Sequence, residues 1–222
     1  MNTRLLTLCL ALGLAACSNT PPPPDWQMNA KSSLERAADA WLSGNSAIEA
    51  VEFARARSEV ARTGQPERVA RVELLRCATR VAALVFEPCA GFEALAADAA
   101  PAEQAYARYL AGQALAADAP LLPDAHRSLT VATAPESALA NIKDPLSRLV
   151  AAGVLLQRGA ASPAVAAVAV DTASAQGWRR PLLAWLQVQQ ARAQAGGAVE
   201  EAARLQRRIN LLVGVLAPIN RR

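Results

Sequence analysis

Leu34-Glu35-Arg36-Ala37-Ala38-Asp39-Ala40-Trp41-Leu42-Ser43-Gly44-Asn45-Ser46-Ala47-Ile48-Glu49 is the stretch that decides the fold class. Leu34, Ala37, Ala38, Trp41 and Leu42 recur at i, i+3, i+4, i+7 and i+8, the spacing of one apolar stripe on an α-helix. The stripe stops at Gly44, a residue suited to ending a helix. Ser46, followed three residues later by Glu49, then reads as a capping box that opens a second helix through Val51, Ala54 and Val60 to about Thr63. Two helices joined by so short a turn lie side by side and antiparallel.

The same punctuation continues outward. Gly64-Gln65-Pro66 breaks the second helix, and Pro66 starts a third through Val69, Val72 and Leu75 to near Ala83. A short helix is expected from about Cys89 to Asp98, then one from Pro101 that places Ala105, Tyr106, Tyr109 and Gln113 on one face. The prolines of 118–123 and 134–144 leave a modest helix from Pro123 to Thr133 and make 118–144 the candidate position for a subdivision. Asp144-Pro145 caps and opens the next helix, with Leu146, Leu149, Val150 and Gly153 inward and Gly159 as its stop. Helices from Ser162-Pro163 to Gly177, from Pro181 to Gly196-Gly197, and through Ala202, Leu205, Ile209, Leu212 and Leu216 to Pro218 complete the chain. Val165 to Val170 comes nearest to a strand, but its Ser-Pro start argues helix.

Composition agrees with an all-α class. Hydrophobic residues make up 53% of the 222 residues and aromatics only 4%, because much of the apolar content is alanine, a strong helix former. The formal net charge is +4 and the pI about 9.2, with Lys31 and Lys143 the only lysines. The densest basic spots, Arg179-Arg180, Arg207-Arg208 and Arg221-Arg222, have no aromatic ladder beside them, so nucleic acid is not the expected partner and they read as solvated helix faces, with a patch that meets anionic lipid or cell-wall polymer as the alternative.

The N-terminus carries an address. One positive charge, Arg4, precedes an apolar run from Leu5 to Leu14 of about ten residues, half of what spans a bilayer, so residues 1–16 read as a signal peptide. Leu14-Ala15-Ala16-Cys17 resembles the bacterial lipobox. The resemblance implies acylation of Cys17, cleavage before it and a permanent lipid anchor, since each buried methylene adds about 0.8 kcal/mol of membrane affinity. Ser18 after the cysteine implies, on the same resemblance, the outer membrane. An ordinary signal peptide cut after Ala16 is the alternative. Residues 17–25 form a stalk stiffened by Pro21-Pro22-Pro23-Pro24, and the helical domain spans 26–218.

With Cys9 in the leader and Cys17 lipidated, Cys77 and Cys89 remain, an even pair that an oxidising compartment joins as a disulfide. A helix continued from Cys77 to Phe86 would carry the chain about 13 Å away, so the bridge requires that helix to end near Ala83. A catalytic thiol or a metal site would lack partners, since His126 is the single histidine. No metal and no cofactor is expected.

Two hairpins in the second half look like copies. A shift of 36 residues lays Trp185-Leu186 on Leu149-Val150, Ala195 on Gly159 and Ala198 on Ser162. Helix, glycine turn and alanine-rich helix at this period resemble the tetratricopeptide and related repeats, and Ala40-Trp41-Leu42-Ser43-Gly44-Asn45 has the same character. The resemblance implies antiparallel hairpins stacked as an α-solenoid; an irregular helical bundle is the alternative.

Chemistry is sparse. The chain has no G-x-S-x-G, H-E-x-x-H, S-x-x-K or glycine-rich phosphate loop. His126 beside Asp124 is the one candidate general base, and its first-turn position reads as a solvated helix residue; Glu200-Glu201 read as first-turn acids that offset a helix dipole. No catalytic residue is assigned. The expectation is an outer-membrane-anchored periplasmic lipoprotein that serves as a protein-interaction scaffold in envelope assembly or maintenance. A structural lipoprotein contacting lipid or cell-wall polymer, and an envelope enzyme, are the alternatives.

Overall fold

The structure is a computed structural model and describes residues 22–130 and 136–216. The signal peptide, the lipobox with Cys17 and Ser18, the segment beyond Leu216 with Arg221-Arg222, and the end of the expected 123–133 helix lie outside the described residues. Among the described residues there is no β-strand.

Three long helices come first, α1 (Asp25–Leu42), α2 (Ser46–Ala61) and α3 (Pro66–Ala82). A compact middle follows, with α4 (Ala90–Glu93), a 3-10 turn at Ala96–Asp98, α5 (Pro101–Leu110), a 3-10 turn at Ala116–Leu121, α6 (Asp124–Arg127) and α7 (Glu136–Ala140). Long helices return as α8 (Pro145–Gln157), α9 (Pro163–Gln176), α10 (Arg179–Ala195) and α11 (Val199–Leu216). The helices therefore start where proline and Asx or Ser caps put them. Pro66, Pro101, Pro145 and Pro163 occupy first positions, Asp144 Oδ2 accepts the Ser147 N–H at 2.7 Å, and Ser162 Oγ accepts the Val165 N–H at 3.2 Å. Hairpin turns close at left-handed glycines: Gly44 (φ 97°) lets the Asn45 N–H reach back to Ala40 O at 2.7 Å, satisfying a terminal carbonyl of α1.

Several expected boundaries shift. The capping box at Ser46 is replaced by a cap one residue earlier, where Asn45 Oδ1 accepts the Ile48 N–H at 3.1 Å. Ser46 sits inside the helix with its hydroxyl taken by Arg180, and Glu49 is buried and turned toward arginines of α3. The 89–98 helix breaks at Ala94 into α4 and a 3-10 turn, and α10 begins at Arg179, two residues before Pro181.

Packing runs along the chain and also across it. Hairpins α1–α2, α8–α9 and α10–α11 are joined by α2–α3 and α9–α10 contacts, but α3 also packs on α8, and α10 returns to α1. A purely sequential stack would have each unit meet only its neighbours. The α3–α8 crossing is close because α8 carries Gly153, where a methyl group would run into the Val81 carbonyl of α3. Residues Leu149 to Leu155 of α8 are all buried, so this helix is the centre of the main core, which extends from Leu42 to Ile209 and includes Tyr109, Trp185 and Leu205. A smaller core of Ala30, Ala37, Phe53, Val60, Val69 and Val72 holds α1, α2 and α3 together.

Candidate functional site

On α1 the buried residues are Ala30, Ser33, Ala37, Ala40 and Leu42. The expected stripe of Leu34, Ala38 and Trp41 is rotated partly out of the core, and all three remain half-buried. This excess apolar width has a place to go. Between α1 and α3 lies a groove of about 430 Å³, with Phe53 and Val60 of α2 beneath it and Leu34, Val72 and Leu75 along its sides. Lys31, Arg68, Arg71 and Arg76 stand among its lining residues. Arg68 lies over the Trp26 ring at 5.1 Å, and Lys31 faces Glu35 at 3.9 Å.

The α3 wall is tied to α2 and α5 by buried carboxylates, each held by arginine from another helix. Glu49 accepts from Arg76 Nε at 2.8 Å and Arg80 Nη2 at 2.9 Å, Glu73 from Arg57 Nε at 2.7 Å, and Glu103 from Arg71 Nε at 2.8 Å. A buried carboxylate stripped of its arginine would be strongly destabilising, so these pairs fix the spacing of α2, α3 and α5. Asp118, paired with Arg108 at 3.0 Å and accepting the Leu115 N–H at 2.9 Å, is lowered to about 2 by those hydrogen bonds, the arginine bond first.

No family model, curated protein or solved structure matches this chain.

Cys77 and Cys89 are joined as a disulfide with their Cα atoms 5.9 Å apart. Helix α3 ends at Ala82, and the turn that follows uses Leu84 in the left-handed region (φ 59°), where the Val85 N–H bonds Arg80 O at 2.9 Å. The bridge clasps the 84–88 connector back on α3, as the helix-end condition requires.

His126 is a correction. It is 2% exposed, not solvated, because α6 lays it against α5: its Nδ1 is 3.2 Å from Tyr109 Oη and its ring is 4.8 Å from the Tyr109 ring and 5.9 Å from that of Tyr106. Burial pushes its pKa down to about 4, with Asp144 opposing, so the imidazole is neutral near pH 7. Burial raises the hydroxyls of Tyr106 and Tyr109 well above their usual range. Tyr109 and His126 are packed in the core, with Tyr106 half-buried beside them. Arg179-Arg180 are a second correction, since both are half-buried: Arg179 donates to Ser43 O at 3.0 and 2.8 Å, and Arg180 to Ser46 Oγ at 2.6 Å. Glu200 and Glu201 do lie in the first turn of α11.

Among the described residues no group of three or more His, Cys, Asp or Glu side chains is placed to hold a metal ion, and no helix is long and apolar enough to cross a membrane. Of the groove residues, Leu75 belongs to the apolar series expected for the third helix, whereas Arg68 and Arg71 were not singled out by their spacing. Their signal is the surplus apolar stripe on α1, which a helix packed on one side alone would not need.

Proposed function

We propose that this chain is an outer-membrane-anchored, periplasm-facing lipoprotein whose α1–α3 groove binds a protein partner, so that it works as a scaffold or adaptor in envelope assembly or maintenance. The observation that carries the reading is the groove, an apolar channel between two helices lined by Lys31, Arg68, Arg71 and Arg76 together with Glu35 and Glu49. Such a channel suits an amphipathic helical segment that lays apolar anchors along Leu34, Val72 and Leu75 and sets acidic residues near Lys31 and Arg68. Three leucine-sized anchors contribute roughly 5–9 kcal/mol before costs. Association and ordering take back several kcal/mol, leaving a weak contact in the millimolar range or somewhat tighter. The lipid at Cys17 compensates by confining the groove to one membrane surface, which raises the effective concentration of a partner held there.

At the level of fold, α8–α9 and α10–α11 support a tetratricopeptide-like reading. Their second helices begin at Pro163 and Val199, keeping the offset in the mid-thirties, and Leu149-Val150 and Trp185-Leu186 are buried alike. The return of α10 to α1 then closes the stack on itself.

The two lysines make a direct test. Lys31 lines the groove and Lys143 does not, and both are exposed. In-cell crosslinking with an amine-reactive reagent and mass spectrometry is expected to recover protein partners through Lys31. Partners linked through Lys143 alone, or none, would overturn the reading.

A further inference from the structure

Trp41 collects two arginines from distant parts of the chain. The guanidinium carbons of Arg80 (α3) and Arg180 (α10) lie 3.2 and 3.7 Å from its ring centroid. Arg80 is 8% exposed and gives its Nη2 to Glu49 Oε1 at 2.9 Å; Arg180 gives its Nη2 to Ser46 Oγ at 2.6 Å and more weakly to Gly44 O at 3.5 Å. Three donors around this one ring are left over. Trp41 Nε1, Arg80 Nη1 and Arg180 Nη1 are all buried and have no hydrogen-bond partner among the described residues. Each such donor costs about 1–3 kcal/mol if nothing accepts from it, so native structures supply an acceptor.

The acceptors already present are committed. Glu49 Oε1 takes Arg76 Nε and Arg80 Nη2, Glu49 Oε2 takes Arg76 Nη2, and Ser43 O takes two bonds from Arg179. Charge shows the same surplus, with Arg76, Arg80 and Arg180 gathered around the carboxylate of Glu49 and Glu87 acting more weakly on Arg80. Burial pulls the Arg80 and Arg180 guanidiniums down from their usual values, and Glu49 only partly offsets it. A water molecule can accept from such donors, but it brings no counter-charge. An oxyanion brings acceptors only, and planar guanidinium edges fit its geometry. Ser46, the first residue of α2, adds the positive end of a 16-residue helix and a hydroxyl proton free to donate.

We propose that the Trp41–Arg80–Arg180 cluster is a binding site for a small oxyanion, a carboxylate or phosphate group, received by Arg80 Nη1, Arg180 Nη1 and Trp41 Nε1. Trp41 and Arg180 are half-buried as residues, while the three donor atoms themselves are closed off from solvent. Because its donors come from α1, α3 and α10, the bound anion bridges the α1–α2 turn to the returning end of α10. The site adjoins the groove, whose lining includes Glu49 and Arg76, but does not depend on the scaffold reading.

The test is titration of the ¹⁵N-labelled full chain in detergent, following the Trp41 indole N–H, which is assigned by its loss in Trp41→Phe. Inorganic phosphate and acetate are added in separate series against chloride at matched ionic strength. A saturable shift of the Trp41 signal is expected while Trp185, whose indole N–H is also buried and unpartnered but has no stacked arginine, stays in place. In Arg180→Gln the dissociation constant should weaken about tenfold or more, the loss of one charge-assisted hydrogen bond. A response to phosphate alone marks a phosphate-bearing ligand, and a response to acetate marks a carboxylate; either supports the site. No saturable shift with either anion, an equal response to chloride, or unchanged affinity in a folded Arg180→Gln would overturn it.

Discussion

Replacing Gly153 by alanine should destabilise this protein although alanine is the better helix former. In an open helix interior Gly→Ala is worth up to about 1 kcal/mol of stability. At Gly153 the added methyl meets the Val81 carbonyl, which is backbone of α3 and cannot rotate away as a flexible side chain would. Overpacking of that kind costs typically 1–3 kcal/mol, and a rigid neighbour places it near the upper end. The net expectation is a loss of about 1–2 kcal/mol. Gly214 supplies the control, since it lies in α11 with open space where its methyl would stand. Gly214→Ala should therefore be neutral or gain a few tenths of a kcal/mol, its position near the helix end reducing the full propensity effect. Urea unfolding followed by circular dichroism decides it: the midpoint of Gly153→Ala should fall by roughly 0.5–1 M at unchanged slope, while that of Gly214→Ala holds or rises. A Gly153→Ala midpoint equal to or above that of Gly214→Ala would refute the close α3–α8 crossing.

Other consequences follow from single residues. His126 is held neutral down to about pH 4, whereas in the unfolded chain it protonates near 6.5, so the unfolded state binds more protons between these values and stability falls as pH drops through that window by up to about 3 kcal/mol. Urea midpoints at pH 7 and 4.5 should differ clearly more for the wild type than for His126→Gln. Reduction of the Cys77–Cys89 bridge, which closes a loop of sequence separation 12, should lower stability by about 3 kcal/mol, read as a shift of the thermal midpoint with reductant that is absent in Cys77→Ser/Cys89→Ser. Cys17→Ala should move the protein from the membrane pellet to the soluble fraction, and intact mass of the extracted wild type should show the acyl chains.

Local punctuation was readable from the chain. Proline at first positions, Asp144 and Ser162 as caps and glycine at helix ends set most long-helix limits, because these residues act on the backbone beside them. Where tertiary partners compete, local rules lose. Asn45 and Ser46 are both competent caps, and the choice falls to Asn45 while Arg180, 134 residues away, takes the Ser46 hydroxyl. His126 has the first-turn position of a solvated residue, yet Tyr109 supplies a hydrogen bond that allows burial. The arginines read as surface charge, but Arg179, Arg192 and Arg158 each donate to backbone carbonyls of a turn or loop elsewhere in the chain, a role the planar guanidinium fills better than lysine. The groove was legible only as too much apolar surface on α1, since its other wall, α3, comes from a separate helix whose placement spacing does not reveal.

The central claim is that a partner occupies the α1–α3 groove, and site-specific photo-crosslinking in cells tests it most directly. A photoreactive residue at Leu75, which lines the groove and is 40% exposed, is predicted to capture a protein partner. Leu34→Glu should abolish that adduct, and the same probe at Leu211, 73% exposed on α11, should give none. An adduct from Leu211 alone, or one from Leu75 that persists in Leu34→Glu, would contradict the account.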